Sequence, residues 1–367
     1  MTATRQTRTT RLAPGTLHDH VRAQLEDLIE VLELSTAGEL LGRCHDVLLA
    51  DSCGYPARGR PHRRSTLNTD GTPVQLSLSL RSDRSGLQFL GEAGAAGRSN
   101  AERLAASQGR LRQAAILLGA ERSLAAIEPL VDTLVPTADR ELLADHAGAV
   151  WLGAGCAAGA APHVKLYCNA KWGEASGRWQ RLRQVATSFG IDSDWPNLRA
   201  LGTLGLEPLG TGLRVASGSA AAARIYLSGY GLSWQRIEEI GARFGGAAFE
   251  EQIRRLKMTL PDDGHQWPTR SVVCSFAMAP GRLADVKVEL CAHCAFSSDA
   301  EARTHCLRWL DDDDAAAAVY LRALAILAPD GMNHAAVALH SHFGVDSRGA
   351  RTVYFNPRPA PGADDDH

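Results

Sequence analysis

His163-Val-Lys-Leu-Tyr-Cys-Asn169 alternates polar and apolar side chains without a break. In an extended strand successive side chains point to opposite faces. Val164, Leu166 and Cys168 therefore share one face, and His163, Lys165, Tyr167 and Asn169 share the other. The pattern returns, at least in part, in Ala222-Ala-Arg-Ile-Tyr-Leu-Ser228, in Asp285-Val-Lys-Val-Glu-Leu-Cys291 and in Arg351-Thr-Val-Tyr-Phe355. Its polar faces carry Arg224 and Tyr226, then Lys287 and Glu289, then Thr352 and Tyr354. The steps from Tyr167 to Tyr226, to Glu289 and to Tyr354 are 59, 63 and 65 residues.

A helical pattern follows each of the first three strands. Trp179, Leu182, Val185, Ala186 and Phe189 lie on one helical face; Ser233 precedes Ile237, Ile240 and Phe244; Ser298 to Glu301 reads as a capping box before Cys306, Leu307 and Leu310. Before each strand lies another apolar stretch, namely 149–152, 201–206, 272–276 and 335–339. An earlier stretch, Val74-Gln-Leu-Ser-Leu-Ser-Leu-Arg81, alternates in the same way and follows a helical face of Val21, Leu25, Leu28, Ile29 and Leu32. The unit is helix, strand, strand, helix, and it occurs five times. Five such hairpins supply about ten antiparallel strands, enough to close a barrel with a lumen. The expected fold class is α/β, an antiparallel barrel whose apolar outer faces are covered by helices and whose polar faces point inward. An antiparallel sheet with one solvated face is the rival reading of any single strand. The recurrence of a basic-x-aromatic pair at matched spacing favours the barrel.

The chain has 367 residues and a formal net charge of −2. One large barrel fits that length, and near-neutral charge does not suit a dedicated nucleic-acid or membrane-surface binder. Arg5, Arg8 and Arg11 are followed by no apolar run, and no stretch approaches the roughly 20 apolar residues that span a bilayer. The expectation is a cytoplasmic protein whose eight cysteines are free thiols. It is expected to be one domain over 15–357, with disordered tails at 1–14 and 358–367.

A lumen that collects Gln75, Lys165, Tyr167, Arg224, Tyr226, Lys287, Glu289 and Tyr354 is costly unless it is used. Ionising an allylic diphosphate creates a carbocation and pyrophosphate. The leaving group needs fixed positive charge and hydrogen-bond donors shielded from water, which Lys165, Arg224 and Lys287 can supply together with tyrosine hydroxyls. The cation needs an electron-rich wall without a trapping nucleophile, and tyrosine rings give one through cation–π attraction worth about 0.5–2 kcal/mol each.

In the strands 163–169 and 222–229, in Ser275-Phe276 followed by 281–289, and in the closing Thr352-Val-Tyr-Phe355, the sequence resembles the dimethylallyltryptophan-synthase-type aromatic prenyltransferases, in particular their bacterial branch. The resemblance runs in order from about residue 15 to 357, and its specificity lies in order and spacing rather than in one long motif. It implies the ABBA prenyltransferase barrel, a dimethylallyl or longer prenyl diphosphate as donor, and an indole, tryptophan-like or other electron-rich aromatic small molecule as acceptor. It also implies no cofactor and no resident metal, with Mg²⁺ at most an enhancer. Lys165 and Tyr167 match positions for diphosphate binding and cation shielding. Arg224 stands where the family usually has a lysine, and Tyr226 and Tyr354 match shielding tyrosines. Lys287 and Glu289 lie on a lumen strand but are not its usual residue types.

Three positions depart from the family. Ala222 stands where an arginine is frequent, no arginine lies around Leu87-Gln88-Phe89 (Arg81 and Arg84 are near), and Gln75 ends the Thr72-Pro-Val-Gln75 strand where the family has a glutamate that accepts an indole N–H. A carboxamide can accept a hydrogen bond but cannot act as a carboxylate base, so this departure bears on the acceptor. Gln75 and Glu289 are the candidate catalytic residues. A peptide or non-indole acceptor, and a binding barrel without catalysis, stay open as alternatives.

Other motifs are weaker. Asp311 to Asp314 precedes the helical run 315–327 and suits a helix start better than a Mg²⁺–diphosphate motif. Cys291-Ala-His-Cys294, with His305 and Cys306 downstream, lacks a second cysteine pair at zinc-finger spacing. Gly153-Ala-Gly155 resembles a dinucleotide loop but precedes a strand, which predicts a hairpin connection. Arginines 58, 60, 63 and 64 read as a solvated loop.

Overall fold

The computed structural model describes residues 15–50, 53, 65, 67–68, 71–81, 84–92, 99–137, 149–229, 231–260 and 272–357. The expected tails 1–14 and 358–367 and the four arginines at 58–64 lie outside them. Helices α1 (Leu17–Val31) and α2 (Ser35–Leu49) lead into β1 (Val74–Leu80) and β2 (Ser85–Glu92). Then come α3 (Asn100–Leu117), α4 (Glu121–Leu134), β3 (Val150–Ala157), β4 (His163–Asn169), α5 (Ala175–Ser188) and α6 (Trp195–Ala200). The third hairpin is β5 (Leu206–Ala216) and β6 (Ala222–Gly229), followed by α7 (Trp234–Phe244) and α8 (Gly246–Thr259). Next are β7 (Val272–Ala279), β8 (Arg282–Cys291), the one-turn α9 (Ala292–Ala295), α10 (Asp299–Trp309) and α11 (Asp314–Leu327). β9 (His340–Asp346) and β10 (Arg351–Phe355) complete the set.

Each strand pairs antiparallel with its neighbours in sequence, and β10 pairs with β1 from Leu76↔Phe355 to Leu80↔Arg351, which closes a ten-stranded barrel. Closure gives the alternation its meaning. Leu76, Leu78 and Leu80 of β1, Val164, Leu166 and Cys168 of β4, Ile225 and Leu227 of β6, and Val286, Val288 and Leu290 of β8 are at most 2% exposed. They belong to one core with Val21, Leu25 and Leu28 of α1, Leu182 and Val185 of α5, Ile237 and Ile240 of α7, and Tyr320 and Leu324 of α11. Each fully buried Leu, Val or Ile contributes about 1.5–3 kcal/mol. The polar faces, excluded from this layer, line the lumen.

Several local expectations are corrected. The apolar stretch 201–206 is not all strand: Leu201–Leu204 is a 3₁₀ turn, and Gly205 at φ 92° ends it before β5. Residues 335–339 are irregular and β9 starts only at His340. The Asp299 carboxylate accepts the N–H groups of Ala338, Leu339 and His340 at 3.0–3.1 Å and so removes those donors from the sheet. Gly153 and Gly155 lie inside β3 rather than in a connection. A side chain at Gly153 would meet the Phe89 carbonyl of the next strand at 2.6 Å. Ser233 occupies the cap position of α7 without a side-chain capping bond. Ser298 does cap α10 through Glu301 N, but the Glu301 carboxylate takes the Ser297 N–H instead of completing the box.

Asp313 caps α11 through Ala316 N at 3.0 Å, and Asp312 bridges to Arg255 and Arg351, so the acidic run is structural. All eight cysteines are free thiols. No helix among the described residues is long and apolar enough to cross a membrane.

Candidate active site

The barrel encloses a cavity of about 350 Å³. Its wall includes Gln75, Lys165, Tyr167, Arg224, Tyr226, Lys287, Glu289 and Tyr354, so residues spread over 280 positions converge on one space. The strand register sets the order around the wall: Lys165 pairs with Arg214, Tyr167 with Gly212, and Gly212 in turn with Arg224. A Cβ on Gly212 would lie 3.1 Å from the Tyr167 ring and 3.2 Å from the Tyr226 ring. Its absence leaves room for the two rings to lean across β5, with centroids 5.8 Å apart.

Four cations face this space, and they are not equivalent. Arg224 is paired with Asp285 and donates to Ser275 Oγ at 2.9 Å. Lys287 Nζ lies 3.0 Å from Glu289 and donates to the Tyr354 hydroxyl at 2.6 Å, and that hydroxyl donates to Glu289. Lys165 donates to Gln88 Oε1 at 2.6 Å and lies 5.9 Å from the centre of the Tyr167 ring. Among the described residues, neither Lys165 nor Arg214 is paired with a carboxylate. Asp346, also on the wall, accepts the backbone N–H groups of Arg348 and Ala350. The positive surplus is therefore concentrated where β4 meets β5.

Protonation follows from these contacts. Burial pushes the Lys165 ammonium well below its usual range, and Arg224, Arg214 and Lys287 push in the same direction. Burial raises the Tyr167 hydroxyl to about 12, and it raises Tyr226 and Tyr354 as well, so all three remain phenols. Burial alone would raise Glu289, but Lys287 and the Tyr354 hydroxyl outweigh it and keep the carboxyl ionised. Glu289 is thus a neutralised partner of Lys287 and not a free base. Burial holds His342, on the inner face of β9, down to about 4, so its imidazole is neutral.

Gln75 lies at the opposite end of its strand from the β1–β2 turn and is 6% exposed. Its amide nitrogen donates to Ser341 Oγ at 2.8 Å and to Asn68 Oδ1 at 3.3 Å. Ser341 is in turn bonded to His342 Nδ1 at 2.7 Å. The donor half of the amide is engaged within the protein, so what Gln75 can offer a ligand is an acceptor oxygen.

Reading the sequence missed Arg214, Gln88, Asp285, Ser275 and His342 on or near this wall. Arg214 ends Gly210-Thr-Gly-Leu-Arg214, whose alternate glycines mark an inner face kept bare. That spacing was the available signal. The Gly153 and Gly155 positions repeat it on β3, where a Cβ at Gly155 would lie 3.1 Å from both Gln88 and His163.

No family model and no curated protein sequence matches the chain. Solved structures do. A 6-dimethylallyltryptophan synthase from Micromonospora olivasterospora, in complex with DMASPP and Trp, is 19% identical, covers 95% of this chain and 99% of its own, and superposes with a TM-score of 0.79. A 5-dimethylallyltryptophan synthase from Streptomyces coelicolor is 22% identical over 94% and 98%, with a TM-score of 0.76. The prenyltransferase PriB, in a ternary complex with L-tryptophan and dimethylallyl thiolodiphosphate, is 23% identical over 94% and 99%, with a TM-score of 0.75. From α1 to β10, this chain has the ABBA prenyltransferase barrel fold of those enzymes.

Proposed function

We propose that this chain is an aromatic prenyltransferase that moves a dimethylallyl or longer prenyl group from its diphosphate onto an electron-rich aromatic acceptor. The carrying observation is the pair of basic side chains Lys165 and Arg214, neither matched by a carboxylate, next to the Tyr167–Tyr226 rings inside a closed barrel. The donor's C–O bond breaks and pyrophosphate leaves toward Lys165, Arg214 and Arg224. The allylic cation is held against the tyrosine rings. A ring carbon or nitrogen of the acceptor forms the new bond and then gives up a proton, for which the released pyrophosphate is the base at hand. Donors fixed in a shielded site need no reorganisation as charge develops, which is where such sites gain most. The domain is taken as 15–357 and the compartment as the cytoplasm.

Mass spectrometry of products from dimethylallyl and geranyl diphosphate with a panel of indoles, phenols and carbazoles tests this reading. A prenylated acceptor supports it. Diphosphate binding with no product from any acceptor would instead make this a binding barrel.

The neighbours solved with tryptophan support an indole-like acceptor, whereas Gln75 favours a non-indole one, because it presents an oxygen without negative charge. Gln75→Glu is expected to shift the acceptor profile toward indoles, whose N–H gains positive character during attack, and to leave acceptor-independent pyrophosphate release largely intact. An unchanged profile in a side-by-side panel would remove Gln75 from the acceptor site.

Protein cations neutralise the diphosphate in this reading, so turnover is expected to persist in EDTA. Complete loss in EDTA with recovery on adding Mg²⁺ would contradict it.

The depressed Lys165 gives a pH dependence with a definite sign. Above its lowered pKa the free protein holds Lys165 neutral, and a bound anion draws a proton onto it. Pyrophosphate affinity should be greatest below that pKa and should weaken as pH rises from there to the higher pKa of the complex. Calorimetry in buffers of different ionisation enthalpy reads the proton uptake. The difference between wild type and Lys165→Met separates the lysine from pyrophosphate's own titration, and equal uptake by both proteins would refute the assignment.

A further inference from the structure

Two residues beyond Glu289, the inner face of β8 ends in Cys291, and the chain turns at once into α9. Cys291 Sγ lies 3.0 Å from His293 Nδ1. One donor atom each from Cys291, His293 and Cys294 can be chosen so that all three lie within 4.8 Å of one another. Cys291 is buried, Cys294 is half-buried and His293 is exposed, so the cluster has a protein-filled side and an open side.

The downstream His305 and Cys306 are not part of this group. His305 packs its ring against Phe296 with centroids 5.1 Å apart, and Cys306 is 1% exposed in the core. The third donor instead comes from between the two cysteines. We propose that Cys291, His293 and Cys294 form a binding site for a borderline-soft divalent ion of the zinc type, with the fourth position open to water or a small ligand.

Two thiolates and one imidazole are a donor set that zinc accepts. With Zn–S near 2.3 Å and Zn–N near 2.1 Å, tetrahedral donors sit about 3.5–3.8 Å apart, inside the spread already present. Cys294, on the single turn of α9, is half-buried, whereas Cys44, Cys53, Cys156, Cys168 and Cys274 are buried in the core. Burial raises Cys44, Cys53, Cys156, Cys168 and Cys274 to about 12. The second cluster among the described residues, His18, His45 and Asp46, is a poorer candidate, since Arg22 Nε lies 3.5 Å from Asp46 and supplies the charge a metal would.

Cys291 pairs across the sheet with His342, at the end of the barrel where Gln75 and Ser341 lie. A metal here clamps the end of β8, the strand that carries Lys287 and Glu289. It takes no part in prenyl transfer, so the site stands or falls independently of the proposed activity.

The test uses full-length, tag-free protein, reduced and metal-depleted, titrated with Co²⁺ and then with Zn²⁺ against a chromophoric chelator. The expected result is one equivalent of Co²⁺ with thiolate charge-transfer absorption, displaced by Zn²⁺, and a higher thermal midpoint in the loaded protein. Cys294→Ser should lose most of that absorption and weaken zinc binding by more than about tenfold, the scale on which even outer-shell partners act. His293→Ala, at an exposed position that leaves folding intact, should keep thiolate absorption with weaker binding. Absence of thiolate absorption at one equivalent, a Cys291–Cys294 disulfide persisting under reduction, or unchanged affinity in both variants would overturn the site.

Discussion

Lys165→Ala is expected to lower turnover by about a hundredfold or more with little loss of stability. Under the proposed function the mutation removes a donor to the leaving diphosphate, a change worth about 2–4 kcal/mol in the transition state, and each 1.36 kcal/mol is tenfold in rate. Lys165 has no carboxylate partner and is depressed by burial, so its removal leaves no orphaned charge behind. Arg224→Ala should cost turnover at least as much but for two reasons. It removes a donor, and it leaves Asp285, 9% exposed, without its guanidinium beside the place where the diphosphate would sit. Breaking a buried pair from one side costs about 3–5 kcal/mol, so this variant should also unfold more easily. Adding Asp285→Ala should restore stability and not turnover. Steady-state kinetics and thermal unfolding of the three variants separate these effects. Near wild-type turnover in both single variants would remove the lumen from the chemistry.

Asp299→Ala should be the most destabilising single change outside the cavity. Asp299 is 1% exposed, and its carboxylate accepts the backbone N–H groups of Ala338, Leu339 and His340 and faces His340 Nδ1 at 3.0 Å. His340 Nε2 continues to the Tyr320 hydroxyl at 2.9 Å. With the carboxylate gone these donors are buried without partners, at about 1–3 kcal/mol for each. The Ala338 N–H is only part-buried, so a total at the low end for the four donors, about 4–5 kcal/mol, is expected, which at about 2.1 cal/mol/K per residue lowers the melting temperature by roughly 5–7 °C. Asp299→Asn keeps an acceptor oxygen and should fall between. Activity well below the melting transition should be retained, because Asp299 lies outside the cavity wall. A melting temperature equal to wild type would mean that β9 is anchored by its packing alone.

The sequence carried what depends on period and residue type. Alternation in 74–81, 163–169, 222–228, 285–291 and 351–355 separated the inner from the outer face of each strand, and all eight candidate residues do line one cavity. The identity of Gln75 was equally plain. Pairings made across long stretches of chain were not legible. Asp285 meets Arg224 from 61 positions away and Ser341 meets Gln75 from 266, and these contacts decide that one cation is neutralised and that one amide has its donors engaged. Arg214 escaped notice because its strand carries glycine where the others carry aromatic rings, and that bareness acquires meaning only when Tyr167 and Tyr226 lean over it from both sides. The starts of β5 and β9 were misplaced for a similar reason: apolar stretches signal burial, but whether they enter the ladder depends on competing bonds, such as those of Asp299. Period and polarity are properties of neighbouring residues, and the chain alone determined them. Which charges remain unpaired depends on which strands the closed barrel sets side by side, and only the tertiary structure decided that.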